Sequence, residues 1–265
     1  MKYLLKFFRV CFWCLVPLIL FVIMLDRKGT ATDQTYHWMA SLTNKTTNLY
    51  ENRFCGATFL NPKWVLTAAH CVVGGNGDLY VAFGSSYLTQ TTKLVKAELT
   101  ITHPQYNYPR RAHDIALVKV EKPVYLNSYP ELSSDINFSD PKPGTLLGWG
   151  TMIQDHTVTP NSLQKRYLKI WPQPDCKKAY GSRYHSGSMI CAADLATFTG
   201  AEDGSDACFG DSGGPLLAPE GDTLYIVGIV SWGRECNSST HPTVYANVPE
   251  LKNWILTTIE ENNDA

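Results

Sequence analysis

The sequence of 265 residues predicts an all-β chain, a barrel or sandwich arrangement in two halves closed by one helix. Three observations predict it. Short apolar runs alternate with clusters of Gly, Pro, Asn, Asp and Ser, at 64–67, 79–83, 115–120, 164–170, 223–232 and 243–248. Such runs, bounded by turn formers, suit strands. The stretch 133–144, with Pro141 and Pro143, reads as a linker between halves. At the end, Pro249 suits a first helical turn, and Leu251, Trp254, Ile255, Thr258 and Ile259 follow at helical spacing. Glu260, Glu261 and Asp264 then form a short solvated acidic tail.

Composition bounds the function. Charged residues are 18% and aromatics 12%, against a disordered chain. No repeat or low-complexity tract is present. The formal net charge of −1 argues against a dominant polyanion-binding role, so no nucleic-acid partner is expected. Charge is unevenly placed: residues 1–28 carry Lys2, Lys6, Arg9, Arg27 and Lys28 against Asp26, a net of +4, which leaves −5 for the rest. Residues 10–25 are uncharged and follow a basic flank, as an export signal or anchor requires. Gly29-Thr30-Ala31 offers small residues for cleavage, while Arg27-Lys28 suits an uncleaved anchor. Secretion, periplasmic export and anchoring through 10–25 all remain open.

Of 8 cysteines, Cys11 and Cys14 lie in this leader and six lie beyond residue 50. Six in an exported chain imply three disulfides, with 15 pairings open.

Three motifs carry chemistry. Gly210-Asp211-Ser212-Gly213-Gly214-Pro215 puts a serine in a glycine-rich turn, where the N–H groups of Gly210 and Ser212 can point with the hydroxyl at a developing oxyanion. A serine needs a base. Leu66-Thr67-Ala68-Ala69-His70-Cys71 supplies a histidine at a strand end, and His113-Asp114-Ile115-Ala116-Leu117 an aspartate before an apolar strand. Singly, each has a commonplace structural explanation; together and in this order they do not. His37, His103, His113, His156, His185 and His241 are read as structural.

The sequence resembles the trypsin/chymotrypsin serine endopeptidases from about residue 36 to 259. Phe54-Cys55-Gly56, His103-Pro104, Gly148-Trp149-Gly150 and Val230-Ser231-Trp232-Gly233 extend the likeness. The resemblance implies two packed six-stranded antiparallel β-barrels, at about 36–130 and 144–248, with a C-terminal helix at about 249–260, all within a protease domain at 29–265. It implies a triad of His70, Asp114 and Ser212 with the standard division of labour. Ser231 would support Asp114, and Ser231, Trp232 and Gly233 would present backbone to an extended peptide. The implied disulfides are Cys55–Cys71, Cys176–Cys191 and Cys208–Cys236. Protein or peptide substrates follow, as do protein inhibitors and a monomeric state.

Asp206, six residues before Ser212, falls at the base of the family's primary pocket. A carboxylate there selects Arg or Lys. Gly233 leaves the mouth open. Thr243 departs from the family's usual glycine and should intrude towards Asp206; Glu235 and Ala207 are lesser departures. Elastase-like cleavage after small residues is the alternative, and a catalytically silent binding homologue is the alternative of another class. The family's activation motif, an Ile-Val-Gly-Gly-like amino terminus pairing with the aspartate before the serine, has no counterpart at 25–29, which reads Leu-Asp-Arg-Lys-Gly. Asp211 therefore needs another cation, a lysine or an upstream residue, or the oxyanion hole is poorly ordered. No cofactor is expected. No metal is expected either: 84–97 lacks carboxylates for calcium, and no His/Cys spacing suits zinc. Asn44, Asn137 and Asn237 head glycosylation triplets.

Overall fold

The computed structural model describes residues 36–75, 77–88, 92–134, 136–151, 160–194, 207–221, 223–234 and 240–263. The leader, Cys11, Cys14, His156, Asp206, Glu235, Cys236 and the triplet at Asn237 lie outside them.

Among the described residues, twelve of thirteen strands form two closed six-stranded antiparallel barrels. The first comprises β1 (Met39–Thr43), β2 (Arg53–Phe59), β3 (Trp64–Thr67), β4 (Tyr80–Phe83), β5 (Lys93–Thr102) and β6 (Ala116–Val120), in the order β1-β2-β3-β6-β5-β4. A one-turn helix α1 (Leu49–Asn52) joins β1 to β2. The second barrel uses β8 (Lys142–Gly148), β9 (Gln164–Ile170), β10 (Met189–Ala193), β11 (Pro215–Glu220), β12 (Thr223–Trp232) and β13 (Thr243–Asn247), in the order β11-β8-β9-β10-β13-β12, with β11 pairing β12 to close it. The short strand β7 (Glu131–Leu132) adds to β12 in parallel. Helix α2 (Gln173–Tyr180) covers β10, and α3 (Val248–Glu261) ends the chain.

Closure removes the exposed edges that would otherwise invite pairing with another chain. Inward positions supply the core. On β9, the alternating pattern buries Gln164, Arg166, Leu168 and Ile170 while Tyr167 is exposed, as a period of two requires. One apolar cluster fills the first barrel and continues through Leu147, Trp149, Leu217 and Ile229 into the face between the barrels. A second fills the other barrel around Leu146, Leu216, Val227 and Tyr245.

The expected linker is shorter than 133–144, because β8 already begins at Lys142. Pro143 is tolerated there at the exposed start of the strand, where a missing donor interrupts little of the ladder. Strands β5 and β10 were not singled out in the sequence. β10 is buried at every position, so no alternation marks it. Helix α3 buries Val248, Leu251, Ile255 and Thr258. The helix packs against β12 and β7, and the residues just after it reach the first barrel: Trp64 Nε1 donates to Asn263 Oδ1 at 3.1 Å and Lys119 Nζ to the Asn262 carbonyl at 2.7 Å.

Candidate active site

The pairing of β3 with β6 places the first two site residues. Thr67 at the end of β3 lies opposite Ala116 at the start of β6. Three residues on, a 3-10 turn (Ala69–Cys71) carries His70; two residues back stands Asp114. Antiparallel register thus brings together side chains 44 residues apart in the chain. His70 Nδ1 lies 2.7 Å from Asp114 Oδ2, and the His70 backbone N–H donates to Oδ1 at 2.8 Å. Ser231, near the end of β12, donates its hydroxyl to Oδ2 at 2.5 Å. A carboxylate only accepts, so Nδ1 carries the proton and Nε2 is left as the basic nitrogen. The Asp114 side chain is fully buried and that of His70 is 12% exposed. The imidazole therefore reaches solvent while its anchor does not.

His113, beside Asp114 in the chain, has a left-handed backbone (φ 55°). Its ring stacks on His103 at 4.8 Å and lies 5.3 Å from His185; Trp254 packs on His103 at 4.9 Å. Burial and the neighbouring His113 push His103 down to about 4. Burial, then His185, also lowers His113. Burial and the Asp114 charge push the Tyr106 phenol up to about 12.

Ser212 sits where the barrels meet. Gly56 of β2 donates its N–H to the Ser212 carbonyl at 2.7 Å, and Gly213 donates to Val230 of β12 at 2.9 Å. A side chain at Gly213 would collide with Thr67 Oγ1 at 2.3 Å and the Gly56 carbonyl at 2.4 Å, and φ there is +79°. Only glycine permits this approach. Ser212 and His70 line one cleft of about 630 Å³, together with Gly210, Ser231, Trp232, Gly233 and Thr243. Among the described residues, the N–H groups of Gly210 and Ser212 donate to no backbone carbonyl.

Thr243 stands on the cleft wall opposite Gly233, where an added side chain would meet its hydroxyl at 3.7 Å. That hydroxyl is 3.5 Å from the Ala207 carbonyl, a long contact. The expected intrusion towards Asp206 falls outside the described residues. Arg111, Arg183 and Arg234 add positive charge to the cleft. Arg111 donates to the Ser231 carbonyl at 2.8 Å, and the Arg183 guanidinium lies 4.6 Å over the Trp232 ring. None of the three stood out in the sequence, since isolated surface arginines carry no motif.

Asp211 is fully buried, and its cation is Arg166, neither a lysine nor an amino terminus. Arg166 Nη1 lies 2.6 Å from Oδ2, with side-chain exposures of 2% and 0%. Gly150 N–H donates to Oδ1 at 2.9 Å and Cys208 N–H to Oδ2 at 3.0 Å. The Gly148-Trp149-Gly150 motif makes the room: a side chain at Gly148 or Gly150 would strike the carboxylate at 2.1 or 2.4 Å. Arg53 lies close enough to feel this charge, and burial lowers its pKa. Its nitrogens donate to the carbonyls of Trp149 and Tyr50.

Disulfides join Cys55 to Cys71 and Cys176 to Cys191. The first braces the turn of His70. Cys208 is also disulfide-bonded; the expected partner, Cys236, lies outside the described residues. Cys55, His70 and Cys71 hold their ligand atoms within 4.8 Å of one another. The two sulfurs are bonded to each other, though, and so offer no thiolate to a metal.

An imidazole anchored on a buried carboxylate, sharing a cleft with a serine in a glycine turn between two six-stranded barrels, defines the class of serine endopeptidases. The chain belongs to the trypsin family, whose model matches residues 27–255. It is 34% identical over 214 residues to Trypsin 5G1 of Aedes aegypti, covering 77% of this chain and 74% of that protein. It is 35% identical over 237 residues to Transmembrane protease serine 11C of Mus musculus, covering 85% of this chain and 51% of that protein. The substrates of a serine endopeptidase are proteins or peptides.

Proposed function

We propose that the chain is an exported trypsin-like endopeptidase acting through Ser212, His70 and Asp114. The observation that carries this is the triple anchoring of Asp114, by the His70 ring, the His70 backbone and Ser231. It fixes the imidazole with Nε2 unprotonated. His70 Nε2 takes the proton as Ser212 Oγ attacks the scissile carbonyl. The oxyanion is received by the N–H groups of Gly210 and Ser212. His70 passes the proton to the departing amine, and water then releases the acyl group from Ser212. Asp114 stays ionised throughout and stabilises the imidazolium.

Cleavage after Arg or Lys is assigned to Asp206 at the pocket base, with Gly233 and Thr243 on its walls and Ser231 and Trp232 carrying the peptide backbone. The name trypsin on the mosquito relative supports that preference. Thr243 opposite Gly233 supports the second reading, a narrowed pocket for small side chains. The third disulfide is assigned to Cys208 and Cys236. Residues 1–28 are assigned to export, as a cleaved signal or as an anchor through 10–25, and 29–265 to a monomeric protease domain open to protein inhibitors. Among the described residues no helix is long and apolar enough to cross a membrane.

A fluorophosphonate label followed by intact-mass measurement tests the reading. Modification is expected at Ser212 and none in Ser212→Ala; a wild type unreactive both uncut and nicked upstream of the first barrel means a silent homologue. In a peptide panel, turnover after Ala or Val equal to that after Arg or Lys overturns the basic preference.

A further inference from the structure

The geometry points to Arg166 as a built-in positioning cation that orders the oxyanion turn, so that activity does not wait for a newly exposed amino terminus. This rests on the assignment of Gly210 and Ser212 as oxyanion donors.

Asp211 immediately precedes Ser212, and its carboxylate points inwards, away from the cleft. What holds it there holds the turn. Its backbone N–H closes the turn on the Cys208 carbonyl at 3.0 Å, and its carbonyl accepts from Gly214 at 2.9 Å. Gly210 (φ +93°) packs on Gly150, where an added side chain would come within 3.2 Å of the Gly150 Cα. Thr151 donates to the Phe209 carbonyl at 2.8 Å. The turn therefore lies clamped on the segment 148–151.

Arg166 bridges the two sides of that clamp. One nitrogen takes the Asp211 carboxylate, and the other lies 3.3 Å from the carbonyls of both Gly150 and Thr151. Its place on β9, opposite Leu146 of β8, makes it the one charge on an inward face it shares with Gln164, Leu168 and Ile170. A charge at such a position needs a partner in full contact, and Asp211 is that partner. One carboxylate and one guanidinium balance. A terminal amine inserted beside Asp211 would leave an excess positive charge in a buried site, with Arg53 already near. Removing Arg166 instead leaves Asp211 uncompensated. The carboxylate then swings out to water and carries the Gly210 N–H out of position.

The test uses the full uncut chain, its mass verified, and the same chain nicked within 25–35. Fluorophosphonate labelling rates at Ser212 are expected to agree within about threefold. Arginine side chains keep their charge in proteins, so the wild-type rate is expected to stay level from about pH 8 to about pH 10.5. Arg53 is likewise a guanidinium, and Cys208 is in a disulfide. Arg166→Met is expected to lower the rate about 100-fold, the scale of a lost oxyanion donor. Arg166→Lys recovers at least about tenfold of that loss but acquires an alkaline decline near the ordinary lysine value of about 10.4. Hydrogen exchange over 207–214 reads the same dependence without chemistry: Arg166→Met loses protection there and keeps it in the first barrel. If Arg166→Met does not fold, Arg166→Met/Asp211→Asn removes both charges together and should fold with the same loss.

Labelling that begins only after the nick overturns the inference, as does an Arg166→Met chain with wild-type rate and protection. A wild type that never labels, yet loses protection on Arg166→Met, leaves the positioning role standing and brings down the nucleophile assignment instead.

Discussion

Asp114 and Asp211 are both fully buried carboxylates, each accepting three hydrogen bonds, yet they are matched to opposite partners. Asp114 faces an imidazole that reaches solvent and can gain or lose a proton. Asp211 faces a sealed guanidinium that cannot. A site that moves protons needs a titratable partner at the reacting end. A site that holds shape needs a permanent one. The two lie on either side of Ser212, so one serine depends on both kinds of pairing.

The sharpest way to break the contrast is Asp114→Asn. An amide can donate as well as accept, so the imidazole loses its fixed tautomer, and kcat should fall about 10⁴-fold with little change in KM, read by steady-state kinetics. On the other side, Gly150→Ala drives a methyl against the Asp211 carboxylate at 2.4 Å. A stability loss of about 3 kcal/mol is expected from denaturant unfolding, with slowed Ser212 labelling. Unchanged stability would mean that the carboxylate pocket is looser than its geometry.

Ser231→Ala removes one donor from Asp114 and leaves the tautomer fixed. The expected loss in kcat/KM is about 10- to 100-fold, the scale of one hydrogen bond to a charged group. Acid sharpens the comparison further. His103 titrates near 4 in the folded chain, below the ordinary 6.5, because of burial and His113. The unfolded chain then binds more protons between these values. Stability is full above about pH 6.5, falls as pH drops and bottoms out near pH 4, a loss of up to about 3 kcal/mol from this group. His113 and His185 stack in the same cluster, with Asp114 following His113 in the chain. Urea midpoints against pH should show a shallower fall in His103→Gln. The smallest effect belongs to Arg111→Ala. It frees the Ser231 carbonyl for a substrate backbone, and KM should drop severalfold with kcat unchanged. An unchanged KM would show that Arg111 does not compete for that carbonyl.

The parts of the site that form continuous words were legible in the sequence. His70, Asp114 and Ser212 each sit in a short motif whose neighbours are fixed by turn geometry and close packing, as Gly213 is by Thr67 and Gly56. Arg166 was not, although the strand carrying it was read correctly as 164–170. Its meaning comes from register: it faces inwards on β9 opposite Leu146, and Asp211 arrives from 45 residues further on. A charge in the alternating set of Gln164, Leu168 and Ile170 was the available signal. Strand β10 left no alternation to read, and Pro143 disguised the start of β8 as a linker.

The docking of α3 bears on how the chain is made. Asn263 meets Trp64 across 199 residues, and Asn262 meets Lys119 across 143. During synthesis the first barrel emerges early but waits for the final helix to complete its surface. Ser212 likewise rests on Gly56 of that barrel. High-separation contacts of this kind slow folding and bind its parts into one cooperative event. A chain cut short before Ser212 has no cleft, because its lining comes from both barrels.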